Sequence, residues 1–374
     1  PPYGNSKNHT LQIGLQFNRI LKDIITGKNT ITFGGEYFID DVYDEIETYG
    51  YLTDQNTKNI GFFLQSDWEL SKNINLVSGV RADKHNFVDH LILNPRFSFL
   101  YKPYHNTQLR ISWSTGFRAP QAFDADMHIA FAGGGIQTIT LAEELKEERS
   151  HSFSTSMNYD RPTENYIYGL TIEGFYTRLK NAFILEETGK DADGNSLMEK
   201  RNGGFSRVYG ATFEARGNYN RIFQVEAGLT LQKSRHDNPV EWSEKLPGTK
   251  QFLRTPKTYG YCTFFWTPGE RFSTVISGTY TGSMFIPHYG LAGDSGTPEN
   301  DLLFKSPYFI DANLKLAYIF ELMRLDSSIE LFGGLDNLLN HYQKDFDSGK
   351  NRDSGYIYGP SKPRTIFIGL KFFN

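Results

Sequence analysis

The side chains best suited to binding chemistry lie in polar segments between stretches of alternating apolar and polar residues. One such segment, residues 40–56, combines tyrosines with carboxylates: Asp40, Asp41, Tyr43, Asp44, Glu45, Glu47, Tyr49 and Tyr51. Phenol and carboxylate oxygens could hold a cation or a polar ligand there, and a solvated loop explains the same composition equally well. Tyr356 lies in a second mixture of charges and rings between residues 342 and 358, which could cover a ligand site.

A third candidate group lies between residues 118 and 147. It contains His128 with Asp124, Asp126 and the glycine run Gly133–Gly135. A histidine here could act as a ligand, and a loop histidine without a ligand role is the alternative. We name His128, Asp126, Tyr43, Tyr49 and Tyr356 as candidate ligand-binding residues, and the sequence predicts no metal site of the protein's own.

These polar groups are separated by about fifteen segments in which apolar and polar residues alternate. Alternation runs from Phe223 to Gln232 and again from Ile310 to Tyr318. Such a period of two over about ten residues is typical of transmembrane β-strands, with one face toward lipid and one toward a polar lumen. The predicted strands are 8–18, 29–39, 57–70, 73–84, 92–102, 107–117, 148–159, 165–180, 200–218, 222–235, 252–267, 271–285, 307–320, 327–336 and 363–373.

The strands also predict which side chains face which way. On the lipid side we expect Phe223, Val225, Leu229, Leu231, Leu314, Leu316, Ile366, Ile368 and Leu370. On the lumen side we expect Gln224, Glu226, Asp311, Asn313 and Lys315. Further lumen lining is predicted from Arg81, Asp83, Glu214 and Arg216.

Composition agrees with an all-β transmembrane antiparallel barrel. The mean hydropathy of −0.48 argues against a protein that crosses the membrane with helices. Phe, Tyr and Trp make up 15% of the residues, as expected where aromatic girdles meet both membrane surfaces. The net charge of −4 does not predict nucleic-acid binding, and the single cysteine, Cys262, excludes a disulfide framework within the chain.

The connections alternate between short and long. Short connections span 71–72, 103–106, 160–164, 219–221 and 267–270, whereas long connections span 40–56, 118–147, 181–199, 236–251, 286–306 and 337–362. Barrels of this type have short turns in the periplasm and long loops outside. With about fifteen strands, the first begins outside the cell and the last ends in the periplasm, so we expect a wall whose first strands are missing. Unpaired strand edges are costly in lipid, and other strands must therefore complete it.

Several motifs resemble those of TonB-dependent outer-membrane receptors. Phe117, Arg118, Ala119 and Pro120 resemble the family's Phe-Arg-Ala-Pro box. The segment from Leu141 to Ser150 is similar to the one that follows the box, with Ala142 and Glu147 in place of its two prolines. Residues 202–214 resemble the family's mid-barrel strand, and residues 333–342 its penultimate strand.

The resemblance implies a barrel of about 22 strands filled by an N-terminal plug, so that about seven strands and the plug lie outside this chain. It implies TonB as a partner through that plug, a location in the bacterial outer membrane, and uptake of a large metal chelate: a ferric siderophore, haem or cobalamin. His128 stands in the interval where haem receptors of the family carry a histidine ligand. No covalently bound cofactor is implied; the chelate is the cargo.

Three other functions remain open. Related receptors with a surface lipoprotein lid import carbohydrates, an unplugged barrel would be a passive diffusion porin, and a barrel hydrolase would carry a Ser or His at the edge of the lumen. No nucleophile elbow, Ser-x-x-Lys set or paired metal motif occurs in its required context, so we expect no enzyme. The final strand, with Gly369, Phe372 and Phe373, resembles the signal read by the barrel-insertion machinery and ends on Asn374.

Overall fold

The computed structural model describes residues 4–22, 26–47, 51–120, 137–190, 196–243, 246–290, 300–322, 327–349, 352–353 and 355–373. No helix among them is long and apolar enough to cross a membrane. The strands are β1 (Asn5–Lys22), β2 (Lys28–Ile46), β3 (Tyr51–Ser71), β4 (Ile74–His85), β5 (Ile92–Tyr104), β6 (Thr107–Arg118), β7 (Gln137–Leu141), β8 (Glu148–Pro162), β9 (Tyr166–Lys180), β10 (Phe183–Lys190), β11 (Ser196–Asn202), β12 (Ser206–Tyr219), β13 (Phe223–Val240), β14 (Thr249–Gln251), β15 (Thr258–Trp266), β16 (Phe272–Thr281), β17 (Phe285–His288), β18 (Leu302–Lys305), β19 (Phe309–Leu322), β20 (Ser327–Asp336) and β21 (Thr365–Phe373).

Fifteen of these strands form one antiparallel wall. Its spatial order, β1-β2-β3-β4-β5-β6-β8-β9-β12-β13-β15-β16-β19-β20-β21, follows the chain, and β14 pairs with the far end of β13. Every one of the fifteen predicted segments overlaps one strand of this wall, which confirms the all-β antiparallel fold class. The long connections of the wall all lie at one end, as predicted, and the other end carries only short turns. Two short connections, between β2 and β3 and between β4 and β5, also lie at the long-connection end.

The wall has one apolar face and one polar face. Leu229 and Leu231 are 42% and 45% exposed, whereas Thr230 between them is 7% exposed and lies across from Thr212. The predicted outward residues on β13 and β21 are exposed hydrophobic side chains, as is Leu316, while Leu314 is half-buried. A continuous exposed apolar face of this size is typical of a barrel wall that contacts lipid. The predicted assignment of faces is therefore confirmed by the cross-strand register.

The polar face is held together by charged pairs. Arg81 binds Glu36 at 3.0 Å and Asp83 at 2.9 Å, and the buried Asp83 also accepts a hydrogen bond from Asn59 at 2.9 Å. Arg216 of β12 pairs with Asp160 of β8 across the intervening strand β9, where Gly169 lies between them. The polar lining predicted from the sequence thus satisfies much of its charge within the wall itself.

The first and last strands of the wall are edges. Asn5 of β1 lies opposite Glu45, at the end with the long connections, and Phe373 of β21 lies opposite Ser328, at the end with the short turns. Within the described residues β1 pairs only with β2 and β21 only with β20. The described strands therefore do not close a barrel, and completion by further strands remains a prediction.

Three predicted boundaries were wrong. Residues 40–56 are not a long loop, because β2 continues to Ile46 and β3 begins at Tyr51. The extension is polar and therefore lacks the apolar alternation that marks a strand in lipid. Cross-strand side-chain contacts stabilise it, such as the hydrogen bond from Thr10 to Asp40 at 2.6 Å.

The segment 200–218 contains two strands, and the segment 252–267 is a strand only from Thr258. The segment 200–218 is interrupted at Gly203. The amide of Gly203 donates to the carbonyl of Ala182 at 2.7 Å, and the absence of a side chain at Gly203 leaves room for Ile184. The strand predicted at 252–267 begins only at Thr258, because Pro256 lacks an amide proton for the hydrogen bonds of the sheet. Four predicted long connections also contain strands or parts of strands: β7 in 118–147, β10 and the start of β11 in 181–199, β14 in 236–251, and most of β17 with β18 in 286–306.

The two faces give a test of membrane placement. Leu229→Arg should lower the free energy of unfolding by about 2 to 4 kcal/mol, because it puts a charge near the middle of the lipid face. Thr263→Arg puts the same charge on the polar face, opposite Glu226, and should cost less than about 1 kcal/mol. Urea unfolding of the receptor in lipid vesicles measures both values, and equal losses would contradict the assignment of faces.

Candidate ligand site at the long-loop end

The segment Phe117–Pro120 anchors a junction at the end of the wall with long connections. Arg118, the last residue of β6, lies in register with Glu148, the first residue of β8. Its Nε donates to Glu148 Oε2 at 2.7 Å, and Glu148 Oε1 accepts the backbone amide of Phe183 at 2.5 Å. One buried carboxylate thus joins β6, β8 and the start of β10 through charge-assisted hydrogen bonds.

Two cations flank the ring of Phe183. The Arg118 guanidinium lies 4.9 Å and the Lys200 ammonium 4.6 Å from its centroid, both within cation–π distance. Lys200 is 1% exposed. A buried lysine requires compensating interactions, so the surroundings of Phe183 are built to hold positive charge.

A cavity of about 420 Å³ opens beside these cations. Arg118, Phe183, Lys200, His236 and Trp242 contribute to its lining. The Nε1 atom of Trp242 is buried and has no hydrogen-bond partner among the described residues. The volume lies within the usual range for a small-molecule site, and the lining combines two cations and the carboxylate of Glu241 with aromatic rings and an unpaired donor.

Asn202 fixes the segment that follows the Phe117–Pro120 box. Its Oδ1 accepts the amide of Lys146 at 2.7 Å, and its Nδ2 donates to the carbonyls of Lys146 at 2.8 Å and Asn181 at 3.0 Å. The amide of Ala142 donates to the carbonyl of Lys200 at 3.1 Å. Three motifs that are far apart in sequence therefore meet at one junction beside the cavity.

A second cluster is formed by the last long connection, residues 337–364. His288 Nε2 lies 2.9 Å from Asp347, and its ring stacks on Tyr356 with centroids 3.5 Å apart. Asp345 accepts the hydroxyls of Tyr356 at 3.1 Å and Tyr358 at 2.5 Å. Burial, together with the Asp345 carboxylate, raises the pKa of both phenols, so they remain protonated donors.

Backbone contacts tie this connection to its neighbours. Arg254 donates to the carbonyls of Gly355 at 2.5 Å and Ile357 at 2.8 Å, and Asp353 accepts the amide of Tyr289 at 3.0 Å. The side chain of Gln343, 1% exposed, bonds to the backbone of Tyr356 and Tyr358. The connection is therefore a packed unit over the end of the wall.

The candidate residues named from the sequence are dispersed. Tyr43 lies in β2, where its hydroxyl donates to Glu45 at 2.7 Å, and Tyr356 is 4% exposed within the second cluster. His128, Asp126 and Tyr49 lie outside the described residues. The described part of the chain brings none of the five together, and their ligand role stays a prediction. No group of three or more His, Cys, Asp or Glu residues in that part is placed to hold a metal ion.

The box and the terminal strand occupy distinct positions. Phe117 lies on the outward face, opposite Arg149, while Ala119 and Pro120 are buried after the end of β6. Phe372 is 71% exposed on the outward face, and Gly369 and Phe373 lie on the other face. Sequence reasoning missed Lys200, His236 and Trp242 as lining residues, since only the tertiary fold brings them beside Arg118.

Comparison with known proteins identifies the family. The family described as TonB dependent receptor-like, beta-barrel matches residues 2–338 of the chain. No curated protein matches the sequence.

Several solved receptor structures share the fold. A variant of the ferric enterobactin receptor PfeA from Pseudomonas aeruginosa superposes with a TM-score of 0.72 at 16% identity, covering 98% of this chain and 54% of the receptor. The siderophore receptor PirA from the same organism gives 0.68 at 14% identity, with 100% and 58% coverage. The ferric-catecholate import receptor Fiu from E. coli gives 0.70 at 16% identity, with 99% and 55% coverage. The chain thus spans little more than half the length of these receptors.

The packing of the last connection is testable by proteolysis. Asp345→Asn replaces a charged acceptor of two phenol hydroxyls with a neutral one and should ease local opening by about 1 to 3 kcal/mol. Tryptic cleavage at the exposed Lys344 should then accelerate about fivefold or more. Glu270→Gln, at an exposed short turn, is the control. An unchanged cleavage rate for Asp345→Asn would show that this carboxylate does not hold the segment closed.

Proposed function

Because the chain belongs to the TonB-dependent receptor family, we propose that it forms part of the wall of an outer-membrane receptor that imports a ferric siderophore. The observation that carries the proposal is the cavity beside Phe183, in which Arg118 and Lys200 lie close to Trp242. The cavity lies at the long-connection end, which is the extracellular end in barrels of this type.

The lining favours an anionic ligand with aromatic rings. A ferric tris-catecholate complex carries negative charge on the phenolate oxygens and presents planar rings at its periphery. Arg118 and Lys200 would attract that charge, while Phe183 and the unpaired Trp242 Nε1 would contact rings and oxygens. The ferric enterobactin receptor PfeA and the ferric-catecholate import receptor Fiu share this fold, which supports the same class of cargo here.

The complete receptor requires more than this wall. The chain covers 54% to 58% of the matched receptors, which supports further strands and a plug in the complete receptor. The further strands would pair with β1 and β21 and remove the open edges. Transport energy would come through TonB acting on that plug. The terminal strand, with Gly369, Phe372 and Phe373, would be read by the barrel-insertion machinery.

The competing cargoes make different demands. Ligation of iron by His128 would indicate haem as the cargo. A neutral polar site would indicate cobalamin, and a lipoprotein lid over the mouth of the barrel would indicate carbohydrate uptake. A passive porin or a barrel hydrolase would not need cations buried beside the cavity. We prefer the siderophore because buried positive charge and aromatic rings occur together in one site.

Removing one cation tests this proposal. Lys200→Met in the complete receptor should weaken binding of a ferric tris-catechol complex about tenfold or more, because a desolvated charge contact is lost. Lys315→Met is the matched control, since Lys315 lies 4.7 Å from the ring of Phe332 on the polar face of a distant strand. Tryptophan fluorescence quenching measures both affinities. Equal affinities of Lys200→Met and the unaltered receptor would remove the cavity as the ligand site.

His128 separates haem from siderophore. We expect His128→Ala to leave uptake of iron-55 as a ferric catecholate unchanged, because imidazole ligation of iron has no role when catechol oxygens already saturate the metal. Growth on haem as the iron source is measured in the same strain. Loss of haem-dependent growth, together with unchanged catecholate uptake by Lys200→Met, would assign haem as the cargo instead.

A further inference from the structure

A row of basic side chains crosses four neighbouring strands on the outward face of the wall. His151 of β8 lies opposite Arg178 of β9, which lies opposite Arg207 of β12, which lies opposite Arg235 of β13. These four residues, the basic row, stand at the same level, on the same face as the lipid-facing Phe153 and Leu231. Antiparallel register therefore aligns residues from four separate sequence segments into a single stripe.

A row of aromatic rings lies directly below the basic row. The row consists of four cross-strand neighbours: Trp113, Phe153, Tyr176 and Tyr209. On β8, β9 and β12, each ring lies two residues closer to the middle of the wall than the basic residue of the same strand. His151 stacks on Trp113 with centroids 6.2 Å apart, and Tyr176 lies 6.4 Å from Tyr209. Aromatic rings in such a row mark the boundary between hydrocarbon and head groups. The basic row is thus at head-group level, at the long-connection end.

The surroundings of the basic row add positive charge. Arg149, Lys180 and Lys233 also point outward next to it. At and above the aromatic row, on the outward positions of β8, β9, β12 and β13 that the structure describes, Asp237 is the only acidic residue. Six Arg and Lys side chains therefore face one carboxylate across a surface four strands wide.

Contacts within the protein do not neutralise this surface. Arg207 pairs with Asp237, and the Arg178 guanidinium lies 3.9 Å from the ring centroid of Phe205. Arg149 donates to the carbonyl of Leu93 at 2.6 Å. The Nε atom of Arg235 is buried and has no hydrogen-bond partner among the described residues. Guanidinium groups that keep unused donors at a membrane surface suit phosphate oxygens, which they bind bidentately.

We propose that the basic row binds the phosphate groups of a phosphorylated glycolipid in the outer leaflet of the membrane, the lipid A part of lipopolysaccharide. The proposal rests on the outer-membrane location within the proposed function. Acyl chains would lie against the aromatic row and Leu231 below it, and the phosphates would contact Arg178, Arg207 and Arg235. This surface is separate from the cavity beside Phe183, because Arg118 and Glu148 lie on the opposite face of their strands.

The position of the row favours this lipid over an anionic phospholipid. The row lies at the end that faces the cell exterior in barrels of this type, and lipid A, with two phosphates, is the phosphorylated lipid of that leaflet. The short-turn end offers a matched comparison, since Arg161 lies on the same strand and outward face as His151 but at the opposite membrane surface.

The test uses the complete receptor, purified in a non-ionic detergent, and bisphosphorylated lipid A as the probe. The triple substitution Arg178→Gln, Arg207→Gln and Arg235→Gln should weaken lipid A binding about tenfold or more, whereas Arg161→Gln should change it less than twofold. Dephosphorylated lipid A should bind the unaltered receptor as weakly as lipid A binds the triple variant. Inorganic phosphate at millimolar concentration should not displace lipid A, because the acyl chains contribute to binding.

Other results would overturn the proposal. These are equal lipid A affinity of the triple variant and the unaltered receptor, equal binding of dephosphorylated lipid A, or displacement by inorganic phosphate, which would indicate a simple anion site. Heat-modifiable gel mobility verifies the fold, and Arg235→Gln alone, expected to weaken binding about threefold or more, replaces the triple variant if that one does not fold. Affinity for the ferric tris-catechol complex is measured in parallel and should not change, so failure here is distinct from failure of the transport function.

Discussion

Backbone hydrogen bonding in a solvent without water is the constraint on which this structure depends. Hydrocarbon offers no partner to a free amide or carbonyl, so each strand of the wall must pair with neighbours along its whole membrane-crossing length. Fifteen strands in chain order, each antiparallel to the next, meet this demand through local hairpins. Pairing then fixes the register, and the register fixes both faces, since successive side chains alternate. The apolar exterior, the charged pairs of the interior and the position of each connection all follow from it.

The wall was predictable because lipid and lumen impose a repeating demand on every strand. The alternation around Leu229 and Leu316 locates strands without knowledge of any contact. The same criterion fails at the long-connection end of β2 and β3, where both faces of the strands can carry polar side chains. Tyr43 and its polar neighbours therefore belong to a strand that alternation does not reveal. Gly203 shows a different limit: alternation on its two sides looks continuous, and only the packing of Ile184 into the space above the glycine reveals the break.

The candidate site was only partly predictable, for reasons that particular residues illustrate. Arg118 was visible as part of a motif, but its partner Glu148 and the ring of Phe183 come from segments 30 and 65 positions further along. Lys200 and Trp242 carry no local pattern, and no rule of spacing brings them beside Arg118. Conversely, Tyr356 stands in a polar, aromatic segment that suggests an exposed site, yet stacking on His288 and bonding to Asp345 bury it. Composition reports the types of group in a loop, whereas tertiary contacts decide which of them face a ligand.

The small sheet formed by β10, β11 and β7 has a consequence for the order of assembly. Its β10–β11 hairpin closes a short loop, but β7 joins β11 in parallel, from Gln137 opposite Ser196 to Leu141 opposite Lys200. That pairing joins residues almost sixty positions apart, with β8 and β9 between them. Closing so long a loop costs conformational entropy, and this cost is smaller once β8 and β9 are already paired in the wall. Lys200 and the segment after Leu141 therefore come together late, after the neighbouring hairpins. The cavity beside Phe183 is therefore complete only after the neighbouring strands have paired, and a chain arrested before that stage would lack it.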